Sequence, residues 1–577
     1  MSTARIPFTA RRPSWVLTAV FALMAMVFMA CGGDDGNGAA AENPAPDAQQ
    51  VLRVRINSEP RTLDPQRSNL SIENSVNKSL FQGLFTYDEN LKLVPNLATE
   101  VPSGDNGGIS DNGLTYTVRI QEGATWSDGS PLTANDFVYS LKRALDPKLA
   151  GPYVSYFYSL VGARDYATAL GTPAAPKTPS DSDLTAMRDK VGVTAKDQTT
   201  IVYQLTEPNP SFLNQLALWT AYPVKQDVIE KFGDKWTEAE NHVGNGPFKM
   251  ASWEHGSRIV LEANPNYSGK NKPLLSRIEY NIIADDTAAY ASYLAGELDV
   301  VTVPPAARRD VASPASGLSD QLRRQPELGT FGFFFNQAMK PFDNVNVRKA
   351  FAQALDRDAL IEGVLQGAGR SATSWIPPGM PGYNAGAAKN LEYNVANAKK
   401  SLADAGYKDG AGFPQVTLLF AANDTNRIIG QFVQDQLKQN LGINVDLDFV
   451  DGPTFGQRFT SNQHQATILR WGAEWPYPDN WLPGLFSTGV SNNHTGYSNP
   501  AFDELMKKAA SNTDDRERLI LYDAGQKMIL DDAVISPLFY RENFILTKPY
   551  VKNHILTGLD GYVGGDYNFA KTYIAAH

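Results

Sequence analysis

The chain has 577 residues, of which 42% are hydrophobic and 20% are charged, so it is long enough for several domains with packed cores. Its 62 acidic and 52 basic side chains give a formal net charge of −10, and no basic cluster stands out. Because affinity for nucleic acids depends on basic side chains that neutralise phosphates, this balance argues against a nucleic-acid partner.

The first 30 residues are organised like a secretory signal peptide. Residues 1–12 contain three arginines and no acid, and the apolar stretch 15–30 is too short for a comfortable membrane span. The only cysteine, Cys31, follows directly, in a Phe-Met-Ala-Cys sequence that resembles the lipobox of bacterial lipoproteins, although leucine usually stands where this chain has Phe28. We therefore expect export and a lipid anchor on Cys31. The alternative is ordinary cleavage after Ala40 or Ala41.

Residues 32–50 contain no large apolar side chain and are predicted to form a flexible tether, so the globular part is expected to begin near Val51. With a single cysteine, the mature chain cannot form an internal disulfide. Outside the cytoplasm its stability must therefore come from a packed core.

Beyond residue 50, strand-like and helix-like patterns alternate. Alternating apolar and polar residues predict strands, and apolar residues at helical spacing, often after an asparagine or aspartate that can cap, predict helices. The predicted strands are 51–56, 115–120, 200–205, 258–263, 415–420 and 443–450, and the predicted helices are 134–144, 347–365, 394–405 and 426–441. This interleaving predicts mixed α/β lobes.

The sequence contains no motif of a reaction centre. The six histidines are scattered without metal-ligand spacing, there is no nucleophile elbow, and residues 244–247 (GNGP) lack the lysine of a phosphate loop. Adjacent acids such as Asp285 and Asp286 do not place two carboxylates across a cleft. We therefore expect no metal, no cofactor and no enzymatic activity, and we interpret the chain as a binding protein.

Several long blocks resemble the extracellular solute-binding proteins of peptide ABC transporters, the oligopeptide-binding type of family 5. They are SEPRTLDP (58–65), LFQGLFTYDENLKLVPNLATE (80–100), YTVRIQEGATWSDGSPLTANDFVYSLKRALDP (116–147), VGNGPFKMASWEHGSRIVLEANPNY (243–267), PFDNVNVRKAFAQALDRDALI (341–361) and YSNPAFDELM (497–506). The resemblance covers about 51–577. It implies the α/β, two-lobed periplasmic-binding-protein (Venus flytrap) fold, with an extra α/β domain inserted in the first lobe.

Carried onto this chain, the resemblance implies a domain organisation with two chain crossings, near 285 and 540. The first lobe would combine residues 51–85, 222–285 and 540–577, the inserted domain would be 86–221, and the second lobe would be 286–539.

The resemblance also implies a monomeric receptor, outside the cytoplasm, that captures short peptides and passes them to an ABC permease driven by its ATPase subunits. Relatives carry nickel chelates, heme, opines or sugars on the same scaffold, so a non-peptide solute is the alternative within the family. An exported enzyme or a chaperone-like binder is the alternative outside it.

The ligand site is implied by a tryptophan-x-alanine-acid segment, which here begins at Trp471 and ends at Glu474. In peptide binders of the family this acid meets the α-ammonium group of the peptide, while backbone groups grip the peptide as an added strand. Glu474 stands where the family has aspartate, so Asp479 is an alternative anchor, and a solvated loop carboxylate is the other interpretation of Glu474. Trp471 is expected either beside ligand side chains or in the core.

Three further residues are implied to reach the cleft. Tyr153 and Tyr293 match positions where a tyrosine can pack on a peptide and donate a hydrogen bond. Arg470 stands where the family tends to have glycine, so it would either crowd the cleft or pair with a ligand carboxylate.

Overall fold

The computed structural model of the chain describes residues 44–172, 175–490 and 492–577. The predicted signal peptide and Cys31, with its predicted lipid, lie outside the described residues.

The strands are numbered along the chain. They are β1 (Val51–Ile56), β2 (Phe85–Tyr87), β3 (Leu93–Pro95), β4 (Thr115–Arg119), β5 (Gly171–Thr172), β6 (Ala175–Pro176), β7 (Val193–Ala195), β8 (Thr200–Gln204), β9 (Phe248–Glu254), β10 (Arg258–Ala263), β11 (Arg277–Ile282), β12 (Val300–Thr302), β13 (Leu322–Pro326), β14 (Gly329–Phe335), β15 (Gly369–Ser371), β16 (Val416–Ala421), β17 (Val445–Val450), β18 (Ala466–Gly472), β19 (Ile535–Thr547), β20 (Val551–Lys552) and β21 (Tyr573–Ile574).

The α-helices are numbered in the same way. They are α1 (Ser71–Leu80), α2 (Ala134–Ala144), α3 (Ala163–Ala167), α4 (Asp181–Asp189), α5 (Phe212–Gln215), α6 (Gln226–Phe232), α7 (Asp286–Leu294), α8 (Arg308–Ala312), α9 (Val345–Gln353), α10 (Arg357–Gly363), α11 (Val395–Asp404), α12 (Asp424–Leu441), α13 (Gly452–Thr460), α14 (Pro483–Phe486), α15 (Pro500–Ser511) and α16 (Asp515–Asp531). Of the helices within the described ranges, none has an apolar stretch that could cross a lipid bilayer.

The first sheet has four strands in the order β1-β11-β10-β9, with β1 parallel to β11 and the other pairs antiparallel. Helix α1 turns Ile72, Val76 and Leu80 towards this sheet, in one buried cluster with the inward residues of β1. Residues four apart lie on one face of a helix, so this spacing buries a continuous apolar stripe. The predicted strands at 51–56 and 258–263 are confirmed.

The second sheet has eight strands, β12 to β19, which all lie between residues 300 and 547. Its main order is β12-β19-β14-β18-β16-β17, and β13 and β15 also pair with β19. Because β19 runs without interruption from Ile535 and its pairing with β12 reaches Thr547, residue 540 lies inside this strand. The predicted crossing near 540 stays a prediction: at that point β19 changes from pairing with β14 and β15 to pairing with β13 and β12.

A third, smaller sheet, β4-β8-β7, is inserted in sequence between β1 and β9 of the first sheet and packs against α2. Phe137 and Leu141 of α2 and the following Leu145 are all buried, as their spacing predicts. At the start of α2 the carboxylate of Asp136 accepts a hydrogen bond of 2.7 Å from the backbone N–H of Thr133, which satisfies a donor that the helix leaves free.

The end of the predicted tether is ordered, which corrects the expectation for residues 44–50. The Gln50 side-chain amide donates hydrogen bonds of 2.8 Å to the carbonyl groups of Ala45 and Ile574, and the Ala45 N–H donates to the same Ile574 carbonyl at 2.8 Å. This segment is therefore attached to the C-terminal end of the chain.

The helix predicted at 347–365 is two helices, α9 and α10. The break falls at Ala354–Asp356, where the Asp356 side chain accepts a hydrogen bond of 2.9 Å from the Ala359 N–H and so caps α10. A capping aspartate favours a new helix start over continuation of the previous helix, because its side chain replaces the intrahelical partner.

Candidate functional site

The candidate site is built around the end of β18 and the segment that follows it. Asn480 accepts two hydrogen bonds from this part of the chain: the Trp471 Nε1–H donates to the Asn480 carbonyl at 3.1 Å, and the Glu474 N–H donates to the Asn480 Oδ1 at 3.4 Å. Asn480 belongs to a short 3-10 helix, Pro478–Asn480. Trp471 is half-buried against the largest apolar cluster. These contacts fix the backbone from which Glu474 projects.

Glu474 is half-buried, and its Oε1 accepts the Tyr153 hydroxyl at 3.5 Å, the long limit of a hydrogen bond. Burial raises the pKa of the Glu474 carboxyl to about 7, against smaller opposing effects of the Tyr153 hydrogen bond and of the charge on Arg470. Among the described residues, no cationic side chain forms an ion pair with it. A carboxylate in this state favours a cation that a ligand brings.

Two tyrosines lie near this carboxylate, and each packs against a tryptophan. Tyr153 meets Trp219 edge to face, with ring centroids 5.1 Å apart, and Tyr156 meets Trp475 in the same way, also at 5.1 Å. Tyr153 and Tyr156 are themselves 5.6 Å apart. Burial and the nearby Glu474 charge raise the pKa of both tyrosines, so both hydroxyl groups stay protonated and can donate hydrogen bonds. The result is an apolar wall with polar tips.

Asp479, the alternative anchor, is already occupied. One of its oxygens accepts the Ser211 hydroxyl, and the other accepts the Trp475 Nε1–H at 2.8 Å. Burial raises the pKa of Asp479, and these hydrogen bonds oppose the rise. Both oxygens of Asp479 therefore accept a hydrogen bond from a protein side chain, whereas the side chain of Glu474 accepts one long hydrogen bond from Tyr153.

Arg470 lies on β18 and pairs with Glu327, with 2.9 Å between Nε and Oε2. Arg541 pairs with the other oxygen of Glu327 at 2.7 Å. These three side chains line a cavity of about 420 Å³, together with residues from both large sheets and the C-terminal segment: Arg55, Asn57, Ser71, Asp286, Thr302, Gln325, Pro326, Asn543, Thr557, Gly558, Asp560, Gly561 and Tyr562.

The structure places Tyr293 apart from the other candidate residues. Its side chain is fully buried among Ala289, Leu298 and Phe544, and its hydroxyl donates to the Gln321 side chain at 2.5 Å. The Lys548 ammonium group lies 4.2 Å from the ring centroid. These are packing contacts, and none of them is with another candidate residue of the site. The role of Tyr293 as a ligand contact stays a prediction.

Sequence reasoning missed Ser211, Tyr156, Trp219 and Trp475. Tyr156 was within reach, because it follows Tyr153 by three residues in the short run 151–156. Ser211 carried no signal at all, since its partner Asp479 is 268 residues away along the chain.

Metal binding has no support in the described ranges, which contain no group of three or more His, Cys, Asp or Glu side chains that could hold an ion. The histidines at 242, 464 and 554 are buried, and burial lowers the pKa of each to about 4. They are therefore neutral packing residues at neutral pH.

Comparison with known proteins gives consistent similarities. The family model described as bacterial extracellular solute-binding proteins, family 5 Middle, matches residues 92–493. The periplasmic oligopeptide-binding protein OppA of Salmonella typhimurium is 32% identical over 91% of this chain and 93% of its own length. The probable deoxycholate-binding periplasmic protein YgiS of Escherichia coli is 31% identical over 92% and 94%.

Among solved structures, the unliganded open form of the periplasmic murein tripeptide-binding protein MppA superposes with a TM-score of 0.77 at 26% identity, over 93% of this chain and 99% of that one. This similarity confirms the two-lobed α/β architecture that the sequence predicts.

Proposed function

The chain belongs to the bacterial extracellular solute-binding proteins of family 5, and from that membership we propose that it captures short peptides in the cleft between its two lobes. The observation that carries the proposal is the half-buried Glu474 carboxylate, which lies beside Tyr153 and has no cationic partner among the described residues. An ammonium group about 4 Å away would gain up to roughly 4 kcal/mol at an intermediate dielectric, before desolvation is subtracted.

The surroundings of Glu474 suit a ligand whose side chains vary. The rings of Tyr153, Tyr156 and Trp471 offer apolar surface with polar tips, and the cavity that Arg470 lines has mostly polar groups that water can also satisfy. A peptide bound through its ammonium group and its backbone would therefore be accepted with little regard to its side chains.

The proposal extends to the export, the membrane anchor and the transport partners of the receptor. The signal peptide directs export, Cys31 carries a lipid that anchors a monomer to a membrane outside the cytoplasm, and the loaded receptor delivers its peptide to an ABC permease with its ATPase subunits. We assign no catalytic step to this chain. The first lobe comprises residues 51–85, 222–285 and 540–577, the second lobe comprises residues 286–539, and residues 86–221 form the inserted domain.

A test of the peptide proposal is retention of pooled tri- and tetrapeptides by the purified full-length protein, read by mass spectrometry. Wild type is expected to retain peptides with a free amino group intact, and their N-acetylated counterparts at least tenfold less. The Glu474→Ala variant is expected to lose at least tenfold of this retention, whereas the control Glu504→Ala, at an exposed glutamate of α15, is expected to bind like wild type.

Three results would contradict the proposal. Equal retention of free and acetylated peptides removes the anchoring role of Glu474. Recovery of fragments identifies a hydrolase, and retention of long unfolded segments identifies a chaperone-like binder. Since YgiS, a relative of similar identity, carries a deoxycholate-binding name, co-purified solutes are also identified by native mass spectrometry.

A further inference from the structure

A second cavity, of about 180 Å³, lies at the C-terminal end of α1. Its walls come from the end of α1, the β2–β3 hairpin, the loop after β10 and the segment 567–571. The volume is several times the roughly 30 Å³ that a water molecule occupies in the liquid, so a small organic molecule has room there. Within the described ranges, its lining shares no residue with the cavity of Arg470 and includes none from 286–539. The second cavity therefore lies outside the proposed peptide cleft.

Two buried amide side chains of this cavity each have an atom without a hydrogen-bond partner among the described residues. Gln82 is 3% exposed, and its Oε1 accepts no hydrogen bond, although its Nε2 donates to the Asn96 side chain. Asn568 is 5% exposed, and its Nδ2 donates none. A buried polar group without a partner costs free energy, and a ligand that pairs with it recovers this cost. The two amides therefore favour a ligand with a polar group that can both donate and accept.

Aromatic rings form much of the remaining wall. They belong to Phe81, Tyr87, Tyr222, Tyr267 and Tyr567. The Tyr87 hydroxyl donates to the Asn214 side chain at 3.0 Å. Burial raises the pKa of Tyr222 and Tyr567 well above the ordinary 10, so their hydroxyl groups are protonated and can donate hydrogen bonds. Aromatic rings pack favourably edge to face or with an offset, so this wall suits a ligand that contains an aromatic ring.

One of the charged side chains in the wall, Lys78, already has its partners. Its ammonium group lies 3.0 Å from Oδ1 of Asp566, donates to the Leu559 carbonyl at 3.0 Å and stands 3.9 Å from the centroid of the Tyr567 ring. An ammonium group has three donors, and these contacts use all of them. Lys78 therefore supports the wall and leaves little capacity for a ligand anion.

The other charged side chains of the wall are Lys270, Lys571 and Asp88. Lys270 is exposed and forms no ion pair within the described ranges, and Lys571 reaches Glu89 only at 4.0 Å. One oxygen of Asp88 accepts two backbone N–H groups of its own turn, both at 2.9 Å. Since the two lysines are in contact with solvent, they stand where the cavity opens. This opening favours an anionic group over a cationic one.

We propose that the second cavity is a ligand site that binds a small aromatic carboxylate carrying a further polar group. The carboxylate lies at the opening beside Lys270, the ring packs against the aromatic wall, and the polar group pairs with the amides of Gln82 and Asn568. The site does not need the lobes to close, because its walls come only from the proposed first lobe and inserted domain. This inference is independent of the proposed peptide-binding function.

The test is a ligand-observed NMR titration of the full-length protein with para-hydroxybenzoate and, as its uncharged match, para-hydroxybenzamide. Wild type is expected to bind one para-hydroxybenzoate with a dissociation constant of about 1 mM or tighter, which is ordinary for a ligand of this size. The benzamide is expected to bind roughly threefold more weakly, because it lacks the charge that meets the exposed lysine.

Three variants assign the site. Asn568→Leu keeps the size of the side chain but removes its amide, so it is expected to weaken both probes roughly tenfold, and Gln82→Met takes its place if that variant does not fold. Lys270→Gln is expected to lower the affinity for the benzoate to that for the benzamide and to leave the benzamide unchanged. Lys399→Gln, at an exposed lysine of α11, is the control and is expected to match wild type.

A saturating pool of tri- and tetrapeptides is expected to leave probe binding unchanged. Displacement of the probe by this pool would place it in the peptide cleft and overturn the inference, while the peptide proposal would stand. The inference is also overturned if neither probe binds wild type, or if the folded amide variant binds both as wild type does. Equal affinity of the two probes, with no effect of Lys270→Gln, overturns the carboxylate assignment. Failure of peptide retention in the earlier experiment leaves this inference intact when the probes bind as expected.

Discussion

Glu474 is a residue at which binding and stability oppose each other. Burial holds the pKa of its carboxyl at about 7 instead of the ordinary 4.5, so the folded protein disfavours the ionised form that a ligand ammonium group requires. The Tyr153 hydroxyl, at 3.5 Å, offsets only part of this cost. The ionised Glu474 carboxylate is unfavourable in the empty site, and a bound ammonium group removes that cost. The ligand therefore contributes a larger part of the free energy that closes the lobes.

We expect Glu474→Gln to raise the free energy of unfolding at pH 8 by about 1–3 kcal/mol, since each unit of pKa shift corresponds to about 1.4 kcal/mol. The unfolded chain releases this proton near pH 4.5 and the folded chain near pH 7, so wild-type stability from this group falls as pH rises between those values. Guanidinium denaturation of both proteins at pH 4 and pH 8 measures the effect.

The difference between the two proteins is expected to vanish at pH 4, where both states of wild type are protonated. Glu504→Gln, at an exposed position, controls for loss of charge and is expected to change stability little at either pH. A Glu474→Gln protein that is less stable than wild type at pH 8 would show that the carboxylate is satisfied by the protein after all.

At the scale of elements, glycines in one turn allow the first sheet and α1 to approach each other. The Gly246 N–H donates to the Leu80 carbonyl at 2.8 Å, and the side chain of Asn245 bonds to both backbone groups of Gln82 at 2.8 and 2.9 Å. A Cβ atom at Gly246 would lie 2.5 Å from the Leu80 carbonyl carbon. This turn therefore sets the distance between the end of α1 and the start of β9.

We expect Gly246→Ala to lower the free energy of unfolding by about 1–3 kcal/mol, because overpacking against backbone forces a shift of the helix end. Gly456→Ala is the matched control: it lies inside α13 with nothing within 4 Å of an added Cβ atom, and it is expected to gain about 0.5–1 kcal/mol of stability. Guanidinium denaturation compares them. Equal effects of the two substitutions would contradict the close approach at Gly246.

Local patterns predicted local elements well and their junctions less well. The helix at 134–144 and the strand at 258–263 have the predicted bounds, because an apolar stripe of one period is a property of the segment itself. The stretch 347–365 has helical spacing throughout, yet it is broken at Asp356, whose side chain caps a new helix. A capping residue inside a stretch of helical spacing can end one helix and start another, while the spacing of the apolar residues stays the same.

The candidate site was predictable only where family likeness carried it. Glu474 and Tyr153 come from matched segments, and the structure brings them within 3.5 Å. Tyr293 comes from the same kind of match, but its neighbours are core residues. Ser211 gave no signal, because its contact with Asp479 depends on loops that only the folded chain brings together.

At the scale of the whole molecule, two distant segments meet beside the site. Residues 153–156 and 211 contact residues 474–479 through the Tyr156–Trp475 ring pair and the Ser211–Asp479 hydrogen bond. In the proposed arrangement the first segment belongs to the inserted domain and the second to the second lobe. Contacts of this kind link ligand binding to lobe closure, since they form only when the lobes are close.

Ser211→Ala is expected to weaken both closure and peptide retention. It leaves Asp479, a buried carboxylate, with the Trp475 Nε1–H as its remaining side-chain donor, and a lost hydrogen bond to a charged group costs about 1.5–3 kcal/mol. Peptide affinity should therefore fall by roughly 10- to 100-fold, since each 1.4 kcal/mol is a factor of ten.

Small-angle X-ray scattering should show that a saturating peptide pool reduces the radius of gyration of wild type more than that of the variant. Ser182→Ala, at an exposed serine of α4, is the control and should match wild type in both measurements. Unchanged affinity and compaction in Ser211→Ala would mean that the Ser211–Asp479 hydrogen bond does not contribute to closure.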